Sequence, residues 1–269
     1  MASNNSQEKK DYLRWLGAHV LEVPFVPFIN PNNYVHVAAR VAAQLRAQGK
    51  RVLLGDQWSA PANRQAHFEG TGPEIYQQLN DKIDGFICGV GSGGTLSGVG
   101  EFLRSQNPNI KIALSDPHGA GIAHYYHHGE IKPNVEGGST ISEGIGQMRL
   151  TDNLVRGGFR PDYSFVVSDT FAYPFLWQLL SEEGICAGSS SAHNIAGAYL
   201  LAKQLGPGHT VVTILCDNGT RYASKLYNPT FLKERKVPIP PWLDENQQDT
   251  QTKDQLAQVL KTSFVEETK

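Results

Sequence analysis

Apolar positions along the 269-residue chain recur at two spacings, one helical and one extended, and the two alternate along the chain. In residues 6–16, Tyr12, Leu13 and Leu16 share a helical face, Ser6 can cap the start, and Gly17 stops the run. Residues 19–23 then read as a short strand. Residues 33–48 predict a second helix, with Val37, Val41 and Leu45 inward and Gly49 past its end. Residues 51–54 are strand-like, and 72–79 predict a short helix with Pro73 in its first turn. An apolar strand at 83–90 runs into Gly91-Ser92-Gly93-Gly94-Thr95. A helix at 96–105 turns Leu96, Val99, Phe102 and Leu103 inward. Asn107-Pro108 ends it, and 110–114 is the next strand. Strand, turn, helix, strand is the repeating unit of a parallel sheet.

The stretch 117–158 is rich in Gly and His and reads mostly as loop. A strand at 163–167 and a helix near 174–183 follow. A short strand at 185–187 ends in Gly188-Ser189-Ser190-Ser191. Then come a helix at 192–205 and a β-branched strand at 211–216. The alternation predicts an α/β protein with helices on both faces of a parallel sheet. Beyond Phe231 the pattern changes. Pro238, Pro240 and Pro241 end the globular rhythm, 244–253 is polar and predicted mobile, and Leu256, Val259, Leu260 and Phe264 space out a last amphipathic helix. The predicted division is a small N-terminal remnant at 1–60, a large α/β domain at 61–232 and a tail at 233–269.

Composition narrows the function classes. Hydrophobic residues make up 40%, and a formal charge of −2 gives no basic field for nucleic acid. No run of about 18 apolar residues suggests a membrane span. The first ten residues carry no secretory or transit pattern, so the chain as written is expected in the cytoplasm, with a mitochondrial setting if upstream sequence exists. Cys88, Cys186 and Cys216 are widely spaced in apolar runs and predict buried, reduced thiols. His124 and His128 lie one helical turn apart without a third ligand, so a surface helix or loop is expected there and no metal site. Trp58, Trp177 and Trp242 read as packing residues.

The chemistry concentrates at 91–95. A strand that feeds a glycine-rich turn into a helix N-terminus presents free N–H groups and a favourable dipole to an anion. Ser92 and Thr95 add hydroxyls. A nucleotide P-loop is excluded because no lysine follows the glycines. Gly89, Gly91 and Gly94 also satisfy G-x-G-x-x-G, and Asp116 closes the following strand near the ribose-binding spacing, so a dinucleotide site competes. Five small residues in a row favour one compact phosphate monoester.

The segment from Gly89 through Gly98 resembles the phosphate loop of cysteine synthases and cystathionine β-synthases, fold-type II pyridoxal-phosphate enzymes of the tryptophan synthase β-like class. Further segments resemble the family in order: Pro61-Ala62-Asn63 with His67, Gly72-Pro73-Glu74-Ile75, Asp116-Pro117, Gly129-Glu130, Glu143-Gly144-Ile145-Gly146, Glu183-Gly184, Gly188 with its three serines, and Cys216-Asp217 with Gly219-Thr220-Arg221-Tyr222. The resemblance implies that Gly91, Ser92, Gly93, Gly94 and Thr95 hold the phosphate of pyridoxal 5′-phosphate. It implies that Ser190 meets the pyridine nitrogen and that Gly144 and Ile145 border the substrate pocket. Ala192 departs from the Gly of many relatives.

The resemblance also implies an early Schiff-base lysine in a Pro-x-x-Ser-x-Lys setting and a Ser-Gly-Asn-Thr-Gly loop for the substrate carboxylate. Neither motif occurs in this sequence. The expected activity is the replacement of an activated serine side group by sulfide, with an amino-acid substrate and a homodimeric assembly. The chain as written is expected to be inactive, with no catalytic lysine. Cystathionine β-synthase chemistry, a nicotinamide-dependent dehydrogenase and a non-catalytic binding relative are the competing readings.

Overall fold

The computed structural model describes residues 1–244. The predicted terminal helix at Leu256, Val259, Leu260 and Phe264 lies outside the described residues. In chain order the elements are α1 (Gln7–Trp15), α2 (Tyr34–Ala47), α3 (Pro61–Ala66), a π-helical turn (His67–Thr71), α4 (Gly72–Gln78), β1 (Gly85–Gly89) and α5 (Gly94–Gln106). These are followed by β2 (Lys111–Pro117), α6 (Ile122–His128), α7 (Asp152–Val155), β3 (Tyr163–Val167), α8 (Asp169–Glu183), α9 (Ser189–Leu205) and β4 (Val211–Thr213).

The four strands are parallel and stand in the order β3-β2-β1-β4. Alternate side chains of β1 explain the layers. Phe86 and Cys88 enter a core with Leu96, Val99 and Leu103 of α5 and Ile112 and Leu114 of β2. Ile87 points the other way and meets Ala113 and Leu201 of α9. Both faces of the sheet are thus covered by helices, which is what near-continuous apolar strands require. A third cluster joins Tyr173, Leu176 and Trp177 of α8 to Ala192 and Ala196 of α9.

The strand order fixes where a ligand can sit. The chain steps outward from β1 to β2 to β3, then returns to place β4 on the other side of β1. That reversal opens a crevice at the carboxyl ends of β1 and β4. The loop after β1 is the glycine turn, and the loop after β4 begins at Ile214.

Several local expectations are corrected. Residues 19–23 and 51–54 are extended but unpaired, apart from a bridge between Ala2 and Val23. A strand needs a paired neighbour along its length; among the described residues 19–23 has only that one bridge and 51–54 has none. They flank α2 and, with Leu13 of α1 and Val37, Val41 and Leu45 of α2, line an apolar cleft of about 390 Å³. The loop predicted at 117–158 contains α6 and α7. The 174–183 helix begins earlier, at Asp169, capped by the Ser168 side chain accepting from Phe171 N–H, and it carries Pro174 inside its first turns. The strand at 185–187 reduces to one bridge, Ala187 with Asn218. Cys88 is buried as expected, but Cys186 is half-buried and Cys216 is exposed, because β4 ends at Thr213 and Cys216 lies beyond the cover of the sheet.

Candidate cofactor site

Gly93 adopts φ +84° at the N-cap of α5, a left-handed conformation that glycine reaches without strain. Its neighbours are glycines for a second reason, which is close packing. A Cβ on Gly91 would collide with the Gly144 carbonyl oxygen, and one on Gly94 with the Asn63 side-chain oxygen. The turn is braced from outside. Asn63 Nδ2 donates to Ser92 Oγ at 2.9 Å and to the Gln57 carbonyl at 2.6 Å. The Thr151 hydroxyl donates to the Ser92 carbonyl. Thr95 Oγ1 lies 3.1 Å from His67 Nε2, and burial holds the His67 imidazole below its ordinary range.

Against that brace, the N–H groups of Ser92, Gly93 and Thr95 have no protein acceptor among the described residues. Three free donors at the start of a 13-residue helix, with the Ser92 and Thr95 hydroxyls beside them, suit a phosphate group. The residues fit the anion that the sequence implied.

The second half of the site is the start of α9. The helix begins at Ser189 rather than Ala192, so all three serines lie in its first turn. Their hydroxyls have different partners. Ser189 Oγ accepts from Glu143 N–H at 3.1 Å, and Ser191 Oγ accepts from Cys216 N–H at 3.0 Å. Among the described residues the Ser190 hydroxyl meets only the Cys216 thiol. Ser190 is therefore the serine whose hydroxyl is not engaged by the backbone.

Asn194, which the sequence reading passed over, joins the two halves. Gly89 N–H donates to its Oδ1 at 2.7 Å, and its Nδ2 donates to the Ile214 carbonyl at 2.7 Å. One buried amide thus ties the ends of β1 and β4 to α9. A polar amide set among Ala192, Ile195 and Ala196 on a helix was the available signal.

Residues 142–145 form a roof. Gly144 has φ +85°, and its carbonyl rests on Gly91. Ile145 packs toward Gly89. The Glu143 carboxylate is held by Lys9 at 3.1 Å and by Lys225. Lys9 Nζ also reaches Tyr222 Oη at 2.6 Å.

Asp116 does not serve a ribose. It is fully buried, and its Oδ2 accepts from Ala123 N–H at 2.8 Å. Burial pushes its carboxyl up to about 7. The G-x-G-x-x-G spacing therefore lacks the exposed acid that a dinucleotide fold needs. His124 and His128 stack on α6, with ring centroids 4.4 Å apart, and no metal-ligating cluster exists among the described residues.

Comparison with known proteins settles the family. The profile described as "Pyridoxal-phosphate dependent enzyme" matches residues 1–217. The chain belongs to the pyridoxal-phosphate-dependent enzyme family. Within it, the sequence is 41% identical over 248 residues to "Cysteine synthase 2" of Schizosaccharomyces pombe, covering 88% of this chain and 63% of the relative. It is also 41% identical over 238 residues to "Cysteine synthase 1" of Neurospora crassa, covering 88% and 62%. A crystal structure titled as a hydrogen sulfide-producing enzyme complexed with an alpha-aminoacrylate intermediate superposes with TM-score 0.70 at 28% identity, over 85% of this chain and 65% of that one. The chain thus spans a little under two thirds of these relatives. The fold is that of fold-type II pyridoxal-phosphate enzymes, whose cofactor is pyridoxal 5′-phosphate. No helix among the described residues is long and apolar enough to cross a membrane.

Proposed function

We propose that this protein serves cysteine synthesis, in which sulfide replaces the leaving group of an activated serine such as O-acetylserine. The observation that carries the reading is the pairing of two features at one crevice: a glycine turn with uncommitted N–H groups, and a single serine hydroxyl, Ser190, left without a backbone partner. Bound pyridoxal phosphate supplies an electron sink for chemistry at the α- and β-carbons of an amino acid. The residues of the chain supply the rest. Ser92, Gly93, Gly94 and Thr95 would hold the phosphate, with Gly91 setting the close approach of the roof. Ser190 would meet the ring nitrogen with a neutral hydroxyl. Gly144 and Ile145 would border the substrate and exclude water from it.

The 269 residues themselves are proposed to bind the cofactor reversibly and not to turn over. Lys9 and Lys225, the lysines that reach the roof, are both engaged by Glu143. Neither stands free as an amine. Cystathionine β-synthase chemistry has weaker support, from a Dictyostelium discoideum relative that is 31% identical, with the match covering 47% of it. A homodimer and a cytoplasmic setting are part of the proposal. A Saccharomyces cerevisiae relative bears the name "Putative mitochondrial cysteine synthase", which keeps a mitochondrial setting as the second choice.

The test is an absorbance titration with pyridoxal phosphate, followed by incubation with O-acetylserine and sulfide. Saturable, dialysable binding that weakens several-fold in Ser190→Ala is expected, without cysteine formation. Cysteine formed by this chain would overturn the inactivity. Absence of any cofactor binding would overturn the reading of the site.

A further inference from the structure

His193 sits on α9 three residues beyond Ser190, with no exposed surface. A buried imidazole with two ring nitrogens must account for both. Nδ1 lies 3.1 Å from Ser142 Oγ in the roof. Nε2 lies 3.2 Å from Asp169 Oδ1 at the start of α8, off the line of a good hydrogen bond but at ion-pair distance. Asp169 is anchored in its turn. Thr140 Oγ1 donates to its Oδ1 at 2.6 Å, and Ile141 N–H donates to its Oδ2 at 2.7 Å. The carboxylate thus grips the roof segment just ahead of Ser142.

The hydrogens at Ser142 decide the state of the ring. Its hydroxyl has one proton and three neighbours: the Ser189 carbonyl at 3.1 Å, Tyr173 Oη at 2.9 Å and His193 Nδ1. The Ser189 carbonyl only accepts, so the Ser142 proton goes there. Tyr173 can donate. His193 Nδ1 must then donate as well, while Nε2 faces a carboxylate. All these contacts are made together only when both ring nitrogens carry protons. A neutral ring either keeps Nδ1–H on Ser142 Oγ and turns a bare Nε2 lone pair toward the Asp169 carboxylate, or keeps Nε2–H and leaves Nδ1 competing with the Ser189 carbonyl for a single proton. The groups facing the ring are Asp169 and Tyr173 of α8 and Ser142 of the roof. On the β2 side, the Ser115 hydroxyl donates to the His193 carbonyl at 2.7 Å. Glu143, the nearest other charge on the roof, is engaged by Lys9 and Lys225.

We propose that His193, as an imidazolium paired with Asp169, is the positioning residue that holds the 142–144 roof onto the glycine turn, so that loss of its proton weakens the grip on the cofactor phosphate. The path is contiguous: His193 to Ser142, then along the backbone to Gly144, whose carbonyl rests on Gly91. The inference depends on reading that turn as the phosphate site.

The test measures pyridoxal phosphate affinity of the native chain, His193→Gln and Asp169→Asn from about pH 6 to pH 9, with pyridoxal, which lacks the phosphate, in parallel. Gln keeps hydrogen bonding without a titrating proton, and its profile supplies the baseline set by the cofactor. Relative to that baseline, native affinity for pyridoxal phosphate is expected to fall about tenfold across the range, the effect of one lost buried hydrogen bond. Pyridoxal should show no such fall, and Asp169→Asn should bind weakly at both ends. Hydrogen exchange at the Glu143 amide, corrected for intrinsic rate, gives a second readout on the native chain that needs no variant. It should accelerate as pH rises. Superimposable native and His193→Gln profiles, or a Glu143 amide indifferent to pH, would overturn this inference alone. A native chain that binds no pyridoxal phosphate at any pH would remove the site reading and this inference with it.

Discussion

Asp116 makes the fold's stability depend on pH in a direction opposite to that of most carboxylates. Its carboxyl is buried at the end of β2. Oδ2 accepts from Ala123 N–H, and Oδ1 has no hydrogen-bond partner among the described residues. Desolvation raises its pKa from 3.8 to about 7, outweighing the hydrogen bonds that favour the anion. Below about pH 4 the group is protonated in both the folded and unfolded chain, and it contributes nothing to the pH dependence. Between about pH 4 and pH 7 the unfolded chain releases the proton while the folded chain keeps it. Stability then falls by about 1.4 kcal/mol per pH unit and levels off above pH 7. From about pH 5 to pH 8 the loss attributable to this group is roughly 3 kcal/mol. Asp116→Asn removes the titration and should remove that slope. Urea unfolding followed by far-UV circular dichroism at half-unit steps gives both curves. If the native and variant curves run parallel across the window, the burial of an uncompensated carboxyl is not what the structure indicates.

Three further outcomes are expected. Gly91→Ala drives a Cβ into the Gly144 carbonyl. Overpacking of this kind costs about 1–3 kcal/mol, so the melting temperature should drop by several degrees and pyridoxal phosphate affinity more than tenfold. Unchanged affinity would show that the roof does not rest on the turn. Asn194→Leu strands the Gly89 N–H and the Ile214 carbonyl and should lower unfolding free energy by roughly 3 kcal/mol in a urea titration. A loss below about 0.5 kcal/mol would mean that the strand ends are held by other contacts. A thiol reagent applied to the native chain should label the exposed Cys216 first, with Cys88 reacting only on unfolding, because burial raises that thiol far above its ordinary range. Mass spectrometry of the labelled peptides reads the order directly.

The unit from β1 through β2 was legible in the sequence because its cues are local. An apolar strand, five small residues and an amphipathic helix each follow from their own side chains. Ser190 was singled out through motif order, and in the structure the serines on either side of it are engaged by backbone, which is consistent with the role proposed for it. What stayed hidden depended on distant partners. Residues 19–23 and 51–54 have strand-like composition, yet pairing is a property of two segments and the sequence of one does not supply it. Asn194 and His193 look like ordinary polar positions on a helix. Only the packing of α9 between the sheet and α8 buries them and turns them into ties. Cys216 was misjudged for the converse reason, since its apolar neighbours Ile214 and Leu215 said nothing of a strand that ends at Thr213. The segment of α6 was left open between helix and loop because Gly and His obscure periodicity in so short a stretch.

The placement of β4 has a consequence for how the protein is made. Gly85 pairs with Val211, so β1 waits for its second neighbour until 126 further residues have been added. A nascent chain halted before that point would already own a complete glycine turn. It would lack the docked helix that brings Ser190 to the crevice and the amide that locks the strand ends together. On the proposed reading of the site, coenzyme capture waits for the seating of β4, the final strand among the described residues, and a bound coenzyme would report that this seating is complete.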